Sequence, residues 1–431
     1  MLMICYYWPP AGGPGSLRAV KFARYLPQFG WEPVILTVQK GEFPYNDPSL
    51  EKDLSVKTRV YRTKSWEPFF LYKKMTHKKK DDRLPVGLLT LKKHNIREKI
   101  TAWIRANIFV PDARIGWIPF AVNEGLKIIK KEKIDLVLTS SPPHSLQLIG
   151  LILKKISRLP WIADLRDPWT HIRYYQFIKR NVCISKIDQL IEKKVLREAD
   201  HVTTVSPSLV SAFKSKENMF NNNKISLLPH GYDENDFRQV KRNQPIKFQI
   251  THTGNLLEHQ NPKILWQSLK QILQQIPDFK DNLLIRFIGR THPSILESIH
   301  YYGLTAFFQS QSFLPHNLII QEIVDSSLLL VVIPEIEDNK GIITTKLLEY
   351  LGSRNPILII GPQDGDVAKI ISNISNSRIC EYQNIDRCME FIQKMYTAWK
   401  KKKLPILKQQ KNPDYSRYEI AKTLSHIHIA Q

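Results

Sequence analysis

Short apolar runs alternate with segments of helical periodicity along most of the chain, a pattern typical of α/β proteins. The apolar runs predict buried strands over 1–7, 32–38, 134–139, 160–164, 201–205, 225–228, 248–253, 283–288, 328–333 and 356–360. Apolar positions three and four apart predict helices over 17–29, 121–131, 145–156, 184–199, 207–213, 262–275 and 344–352. Residues 40–115 lack clear periodicity, and we interpret them as a long irregular excursion with one or two helices.

This alternation implies parallel sheets with helical crossovers. A polar span over 237–247 resembles a linker, after which the pattern begins again. We therefore predict two facing, doubly wound, Rossmann-like domains, over residues 1–240 and 247–408. Because ligands of such sheets bind at the carboxyl ends of the strands, the loops that follow the strands are where functional residues are expected.

The stretch GIITTKLLEYLGSRNPILII, at 341–360, carries the clearest sign of a binding site. Thr344 and Thr345 are placed to cap the start of a helix, and Lys346 adds a positive charge in its first turn. A lysine is unfavourable there unless an anion binds, and Glu349 lies one turn further on the same face. These features suit a diphosphate and sugar hydroxyls; the alternative is an ordinary surface Lys–Glu pair.

Glycines concentrate in the first strand-to-helix turn, within YWPPAGGPGS. Gly12, Gly13 and Gly15 would let phosphate or acceptor groups approach backbone N–H groups closely. The spacing is not G-x-G-x-x-G, which disfavours a dinucleotide site. The alternative is a turn that only needs positive φ.

The composition is that of a folded protein, and 431 residues exceed what one core usually serves. We find no uninterrupted apolar run long enough to span a membrane and no basic region typical of a signal peptide. The four cysteines lack C-x-x-C spacing, so neither structural zinc nor a disulfide framework is expected. A reducing cytoplasm is the predicted compartment.

The net charge of +23 is unusual and raises the question of an anionic partner. Lysine clusters lie at 73–74, 78–80, 92–93 and 400–403, and the first of them follows Trp66 and the aliphatic and aromatic run 69–72. Basic clusters beside aromatics suit the anionic inner face of a membrane. A solvated lysine-rich surface is the alternative; a nucleic-acid partner is not expected, because no binding motif accompanies the charge.

Taken in order, several motifs resemble glycosyltransferase family 4, whose members are retaining enzymes of the GT-B fold. They are YYWPPAGGPGSLRAVKFARYL, LTSSPPHS, WIADLRDPW, LLPHGYDENDF, THTGNLLEHQNP and TTKLLEYLGSRNPILIIGPQDGDVAKII. The resemblance covers nearly the whole chain. It implies an acceptor-side first domain, a donor-binding second domain, and a final helix within 413–431 that crosses back to the first.

The resemblance also implies roles for individual residues. Lys346 would stabilise the leaving diphosphate and Glu349 would accept hydrogen bonds from the ribose. Asp167 would orient the transferred sugar or the acceptor hydroxyl, unless it forms a local salt-bridge network with Asp164 and Arg166. The residues expected to flank the donor are Gly12, Gly13, Gly254, Asn255, Gly289, Thr344 and Thr345. His144 and His230 are more simply structural.

The chain departs from the common family pattern at two places. Gly341 stands where a glutamate is frequent, and Asn255 and Gln260 stand where a basic pair is frequent. Fewer cations would then face the diphosphate, which leaves more of its charge to Lys346. The departures put the identity of the donor in question.

The resemblance implies transfer with retention, by a front-face attack in which the leaving phosphate helps to take the acceptor proton. The sequence fits this mechanism, since it shows no convincing nucleophile–base pair. It also lacks a D-x-D motif at a strand end, so we predict independence from metal and from any cofactor other than the nucleotide-sugar substrate.

The main prediction is a cytoplasmic hexosyl- or N-acetylhexosaminyltransferase that acts on a glycan or lipid-linked acceptor in surface polysaccharide synthesis. A nucleotide-sugar epimerase of the same fold is the first alternative. The second is a degenerate transferase scaffold that binds membrane or nucleic acid, which the two departures would favour.

Overall fold

A computed structural model describes residues 1–43, 45–66, 103, 106–170, 180–216, 224–238, 240–408 and 413–427. The chain forms two units, one made of Met1–Pro229 with Ile420–Gln431, the other of His230–Glu419. Each unit has its own parallel sheet with helices and its own apolar clusters, as the repeated alternation of strand and helix predicts.

The first unit contains a parallel sheet of seven strands in the order β3-β2-β1-β4-β5-β6-β7. The strands are β1 Leu2–Ile4, β2 Val34–Val38, β3 Arg59–Thr63, β4 Val137–Ser141, β5 Trp161–Leu165, β6 His201–Thr204 and β7 Ile225–Leu227. The middle strands β1, β2, β4 and β5 are buried at every residue. The sequences of β1, β2 and β5 are almost entirely apolar for this reason, whereas β4 ends in Thr139, Ser140 and Ser141.

The helices of this unit are α1 Pro14–Tyr25, α2 Ile118–Lys131, α3 Ser145–Ser157, α4 Val182–Glu198 and α5 Pro207–Lys216. Their starts follow local chemistry. Pro14 opens α1 directly after Gly13, and the Asp112 carboxylate accepts from the Ser145 backbone N–H (2.8 Å) at the start of α3.

The second unit contains a parallel sheet of six strands in the order β10-β9-β8-β11-β12-β13. They are β8 Phe248–Thr253, β9 Leu283–Ile288, β10 Phe308–Gln311, β11 Leu328–Val332, β12 Ile357–Ile360 and β13 Ser377–Cys380. The helices are α6 Glu234–Arg238, α7 Lys263–Gln275, α8 Phe279–Asn282, α9 Pro293–Tyr301, α10 His316–Asp325, α11 Thr345–Ser353, α12 Asp366–Ile371 and α13 Ile385–Lys400. Both sheets reverse their strand order next to the first strand of the unit, so the loops after β1 and β8 lie at topological switch points.

The boundary between the units lies at Pro229, before the polar span that the sequence suggested as the linker. The second unit gains the segment after Pro229 because the Tyr232 backbone N–H donates to the Tyr415 carbonyl (2.9 Å) and Phe237 packs on an apolar cluster there. The last helix, α14 Arg417–Ser425, crosses the boundary, and its residues Ile420, Ala421 and Leu424 join an apolar cluster of the first unit.

Three edge strands correct the sequence interpretation. β3 lies inside the stretch 40–115 that was interpreted as irregular with one or two helices, and β10 and β13 were not predicted at all. None of the three is buried throughout, and exposed positions include Arg59 in β3 and Gln309 in β10. An edge strand of this kind shows no continuous apolar run, so the rule that finds central strands misses it. The predicted lysine clusters at 73–74, 78–80 and 92–93 lie outside the described residues.

No helix in the described part of the chain combines the length and apolar character needed to cross a bilayer.

Candidate functional site

The start of α11 is built as the sequence predicts. The Thr344 side chain caps the helix by accepting from the Leu347 backbone N–H (3.4 Å). One turn later the Tyr350 hydroxyl accepts from the Thr253 backbone N–H (2.8 Å), which fixes the helix to the end of β8. The helix that begins at Thr345 is therefore held against the end of β8, and its first N–H groups have no partner within the helix.

Lys346 lies across that loop. Its Nζ donates to the carbonyl of Asn255 (3.3 Å), and its Cε is 2.7 Å from the position that a Cβ on Gly254 would occupy. Burial lowers the pKa of the Lys346 ammonium to about 8, and the charge of Glu349 offsets part of that shift. Gly254 is thus required for the approach of the lysine, and the lysine carries a charge that its surroundings only partly compensate.

A second glycine packs against the loop that follows β8. Gly289 follows β9 with φ +128°, and a Cβ there would lie 2.5 Å from the carbonyl oxygen of Gly254. Gly254 itself has φ +84° and donates its N–H to the Ile288 carbonyl (2.6 Å). The loops after two neighbouring strands therefore pack backbone against backbone, which only glycine permits. The structure thus brings together Gly254, Asn255, Gly289 and Lys346.

Glu349 lies one turn along α11 and pairs with a residue that sequence reasoning missed. The Nε2 of His316, at the start of α10, is 3.3 Å from the Glu349 carboxylate, and both side chains are largely buried. Burial alone would raise the pKa of Glu349, but the hydrogen bond and charge of His316, with Arg417 and Lys346, lower the pKa overall. Glu349 is therefore an ionised acceptor at neutral pH.

His252 is a second residue that the sequence did not single out. It is buried at the end of β8, where its Nδ1 lies 2.9 Å from the Leu330 carbonyl oxygen. Burial, reinforced by the charge of Lys346, lowers the pKa of His252 to about 3. A neutral imidazole below Lys346 adds no competing positive charge. Nothing in the sequence distinguishes this histidine, because its role depends on residues far away along the chain.

One departure from the family pattern, Gln260, has a local structural explanation. Gln260 is buried, and its side chain accepts from the Leu257 backbone N–H (3.1 Å) and donates to the Val332 carbonyl (3.0 Å). It therefore braces the loop after β8, a role for which a charged residue would be costly. Gly341 ends a short 3₁₀ turn at Asn339–Gly341.

The glycine-rich turn of the first unit is more occupied than the sequence suggested. The Gly12 N–H donates to the Tyr45 carbonyl (2.9 Å), and a Cβ on Gly12 would lie 2.1 Å from the Tyr45 ring. The Gly12 N–H is thus already bonded within the turn, and the place of Gly12 beside the donor stays a prediction. Gly13 has φ +99° and precedes α1, so its conformation also follows the turn.

Gly15 has a different neighbour, the guanidinium of Arg166. A Cβ on Gly15 would lie 2.9 Å from the Nη1 of Arg166, and this guanidinium donates to the Pro142 carbonyl (2.9 Å). The Arg166 side chain is 8% exposed, and its Nε has no partner among the described residues. A buried cation thus lies at the positive end of α1, an arrangement that an anion would relieve.

The DLRDPW segment does not form the salt-bridge network that was the alternative. Asp164 is buried and accepts from Arg18 through both oxygens, with Nε at 3.0 Å and Nη2 at 2.9 Å. Asp167 follows Arg166 at the exit of β5 and is exposed. Asp164 therefore has a structural role, whereas Asp167 lies where a substrate could reach it.

The two histidines of the motifs also differ. His144 is buried and stacks on Trp169 with ring centroids 4.7 Å apart, and burial lowers its pKa to about 4. Its ring nitrogens have no hydrogen-bond partner within the described ranges. His230 is partly buried at the first position of the second unit. The described residues contain no group of three or more His, Cys, Asp or Glu side chains that could hold a metal ion.

The sequence profile of Glycosyltransferase Family 4 matches residues 86–236. This confirms the resemblance to glycosyltransferase family 4. The match covers about a third of the chain and includes the SSPPHS, DLRDPW and PHGYD segments. A search among curated proteins returned no significant sequence match.

Solved structures of similar fold cover almost the entire chain. HepE from Anabaena in complex with UDP is 12% identical with a TM-score of 0.62, over 98% of each chain. Sucrose-phosphate synthase from Thermosynechococcus elongatus is 13% identical with a TM-score of 0.64, over 99% of this chain and 97% of that one. Together with the two parallel sheets, these similarities establish the GT-B fold.

The fold alone does not separate sugar transfer from other reactions of nucleotide-sugars. A putative UDP-N-acetylglucosamine 2-epimerase from Listeria monocytogenes is 10% identical with a TM-score of 0.52, over 98% of this chain and 94% of that one. The family profile favours transfer, because it describes glycosyltransferases.

Proposed function

We propose that the protein is a retaining glycosyltransferase that moves a sugar, of the hexosyl or N-acetylhexosaminyl type, from a nucleotide-sugar to a glycan or lipid-linked acceptor. The observation that carries the proposal is the position of Lys346, over Gly254 and beside the free N–H groups of α11. HepE, which has a similar fold, is solved with UDP, and this supports a UDP-sugar as the first donor to test.

The donor diphosphate would bind where α11 meets the loops after β8 and β9. The helix dipole and the Lys346 ammonium both attract an anion, and the close packing of Gly289 against Gly254 fixes the loops beside which its oxygens would lie. Glu349 would accept hydrogen bonds from the ribose hydroxyls, since its carboxylate is ionised and keeps lone pairs beyond those used by His316.

For the transfer step, Lys346 would stabilise the negative charge that grows on the leaving diphosphate. A front-face attack needs no protein nucleophile, because the leaving phosphate takes the acceptor proton. Asp167 would orient the sugar or the acceptor hydroxyl from the exit of β5. We further propose that the reaction needs no metal ion, and that Lys346 and the helix dipole supply the positive charge.

We propose that the acceptor belongs to the synthesis of a surface polysaccharide or another glycoconjugate, and that the enzyme works at the inner face of the cell membrane. The net charge of +23 supports an anionic surface nearby. No nucleic-acid partner is proposed.

Calorimetric titration of UDP into the purified protein tests the donor site. Lys346→Ala should weaken UDP binding roughly 10- to 100-fold, because a hydrogen bond to a charged group contributes about 1.5–3 kcal/mol. The matched control is Lys369→Ala, in which an exposed lysine of α12 in the same unit is removed. This control should bind UDP like the wild type.

Equal UDP affinity in the wild type and Lys346→Ala would contradict the assignment of the site. Incubation of the protein with a UDP-sugar and no acceptor distinguishes a transferase from the epimerase alternative, since an epimerase would convert the sugar and a transferase would not. If no nucleotide of any class binds, the degenerate-scaffold alternative gains support.

A further inference from the structure

The outer face of α4 in the first unit carries apolar side chains in contact with solvent. Val182, Ile187 and Leu190 are 67%, 47% and 65% exposed. With 3.6 residues per turn, they fall within an arc of about 140° on the exposed side of the helix, beside the exposed thiol of Cys183. An ordinary surface helix places such residues inward, so this face differs from what folding of the unit requires.

The acidic and basic side chains of α4 lie on different faces of the helix. Its inner acids are buried and paired: Asp188 accepts from Arg180 (2.6 Å) and Glu192 accepts from Lys216 (2.7 Å). The solvent-facing charged side chains of the helix are the basic residues Lys186, Lys193, Lys194 and Arg197. Glu198, at the last position, is only 33% exposed and lies beside Arg197.

A second segment near the start of α4 also carries exposed apolar side chains. The Asn181 backbone N–H, just before α4, donates to the Asn107 side chain (2.7 Å), and the Nε of Arg180 donates to the Ala106 carbonyl (3.0 Å). Close to these contacts in the chain, Trp103 and Ile108 are 51% and 60% exposed. The first unit therefore exposes apolar side chains both on α4 and on a segment bonded to the chain just before it.

We propose that this surface, the outer face of α4 with Trp103 and Ile108, binds an anionic lipid bilayer. Exposed apolar side chains flanked by lysines, on a helix whose acids face inward, are the combination by which amphipathic helices lie in a membrane interface. The charge favours a lipid surface over a second copy of this chain, because two identical faces would bring four basic side chains against four others.

The proposal extends the membrane part of the proposed function but does not depend on the donor site. Vesicle binding is measured without any nucleotide-sugar, so its failure would leave the donor proposal untouched, and a failed donor assay would leave this one untouched. The exposed Cys183 also offers a direct probe, since Cys5, Cys380 and Cys388 are buried. A polarity-sensitive fluorophore can therefore be attached within the surface itself.

The test is co-sedimentation of the full-length protein with vesicles of phosphatidylcholine alone, or with about one-third phosphatidylglycerol, at about 0.1 M salt. We expect binding to the anionic vesicles only, and a partition coefficient about tenfold lower for Leu190→Glu. The matched control is Leu296→Glu, which changes a leucine of α9 in the second unit that is 42% exposed. It should bind like the wild type.

The fluorophore on Cys183 should shift to the blue on anionic vesicles, whereas the same fluorophore in Cys183→Ser/Leu296→Cys should not. Melting temperatures confirm that the variants fold, and Lys193→Gln/Lys194→Gln replaces Leu190→Glu if that variant does not. Absence of binding by the wild type would overturn the proposal. Binding that is unchanged in the α4 variants with no blue shift, or a lipid-free dimer that Leu190→Glu dissociates, would overturn it as well.

Discussion

The ammonium group of Lys346 is held in surroundings that disfavour its charge. Burial lowers its pKa to about 8, and it lies at the start of α11, where the helix dipole is positive. The Asn255 carbonyl is the hydrogen-bond acceptor that the structure provides for it. A bound diphosphate would offset both the burial of this charge and its repulsion by the helix dipole, which is why a locally unfavourable lysine indicates a ligand.

This pKa predicts how donor binding depends on pH. A pKa lowered to about 8 means that Lys346 loses its proton as the pH rises through 8, so the attraction for the diphosphate weakens above that value. We expect kcat/KM for the donor to fall between pH 7.5 and about 9 in the wild type. In Lys346→Arg, whose charge persists, residual activity should lack this fall. A wild-type profile that is flat across the range would contradict the role of Lys346.

The close packing of Gly289 against the backbone of Gly254 predicts how a substitution there changes stability. Gly289→Ala should destabilise the protein by at least about 2 kcal/mol, since backbone strain and overpacking each cost about 1–3 kcal/mol. Gly303→Ala is the control: its φ is +72°, but a Cβ there meets nothing within 4 Å. Urea unfolding of the second unit should show the larger loss for Gly289→Ala. Equal losses would mean that close packing of the two loops does not matter.

Single residues were predictable from the sequence only where their role is local. Thr344 and Lys346 were found because a helix start has its own chemistry. His316 and His252 were not found, since each acts on a residue from another element. The contacts of Gly12 were not predictable, because the ring and carbonyl that surround it belong to Tyr45, across a turn that no periodicity reveals.

Between elements, a buried ion pair joins α1 to β5 in the first unit. Arg18 holds both oxygens of Asp164 and also donates to the carbonyls of Leu228 (2.9 Å) and Pro229 (2.6 Å). Ser140 and Thr203 donate to the same carboxylate, at 2.6 and 2.9 Å. The edge of the sheet that presents Arg166 and Asp167 therefore depends on this network.

Asp164→Asn should destabilise the first unit by about 3–5 kcal/mol, because it leaves the buried Arg18 without its counter-charge. Burial raises the pKa of Asp164, but Arg18 and Ser140 lower it overall, so the stabilisation is present at neutral pH and is lost as the pH falls below about 4. The control is Asp364→Asn, at an exposed pair with Lys340. Denaturation curves are measured at pH 7 and at low pH. The difference in free energy of unfolding between Asp164→Asn and Asp364→Asn should be smaller at low pH.

Most strands found from the sequence are central strands, although β7, at an edge of the first sheet, was predicted as well. The central strand β11 is apolar throughout and was predicted close to its true bounds, whereas β4 ends in polar residues and its prediction, 134–139, stops before Ser141. β3, β10 and β13 were missed since each lies at a sheet edge and is only partly buried. Each of these segments is a strand because it pairs with a neighbouring strand, and the local sequence does not reveal that tertiary contact.

At the scale of the molecule, the sequence predicted two parallel sheets with a linker, and the comparisons confirm the fold. The repeated alternation of strand and helix was sufficient to predict the two sheets, because the buried strands of each unit appear as apolar runs in that unit's own sequence. The boundary at Pro229 was not predictable, since it depends on pairing between Tyr232 and Ser416, far apart in the chain. Substrate identity depends on loops whose arrangement the pattern does not encode.

The central claim is that the second unit binds a nucleotide-sugar, and a thermal-shift panel tests it most directly. The full-length protein is heated with UDP-, GDP-, ADP- and dTDP-sugars, with and without magnesium. A donor at a hundredfold excess over its Kd should add about 2.7 kcal/mol of stability. We predict a rise in Tm with one nucleotide class, without magnesium and absent in Lys346→Ala. No rise with any nucleotide, with or without magnesium, would contradict the account.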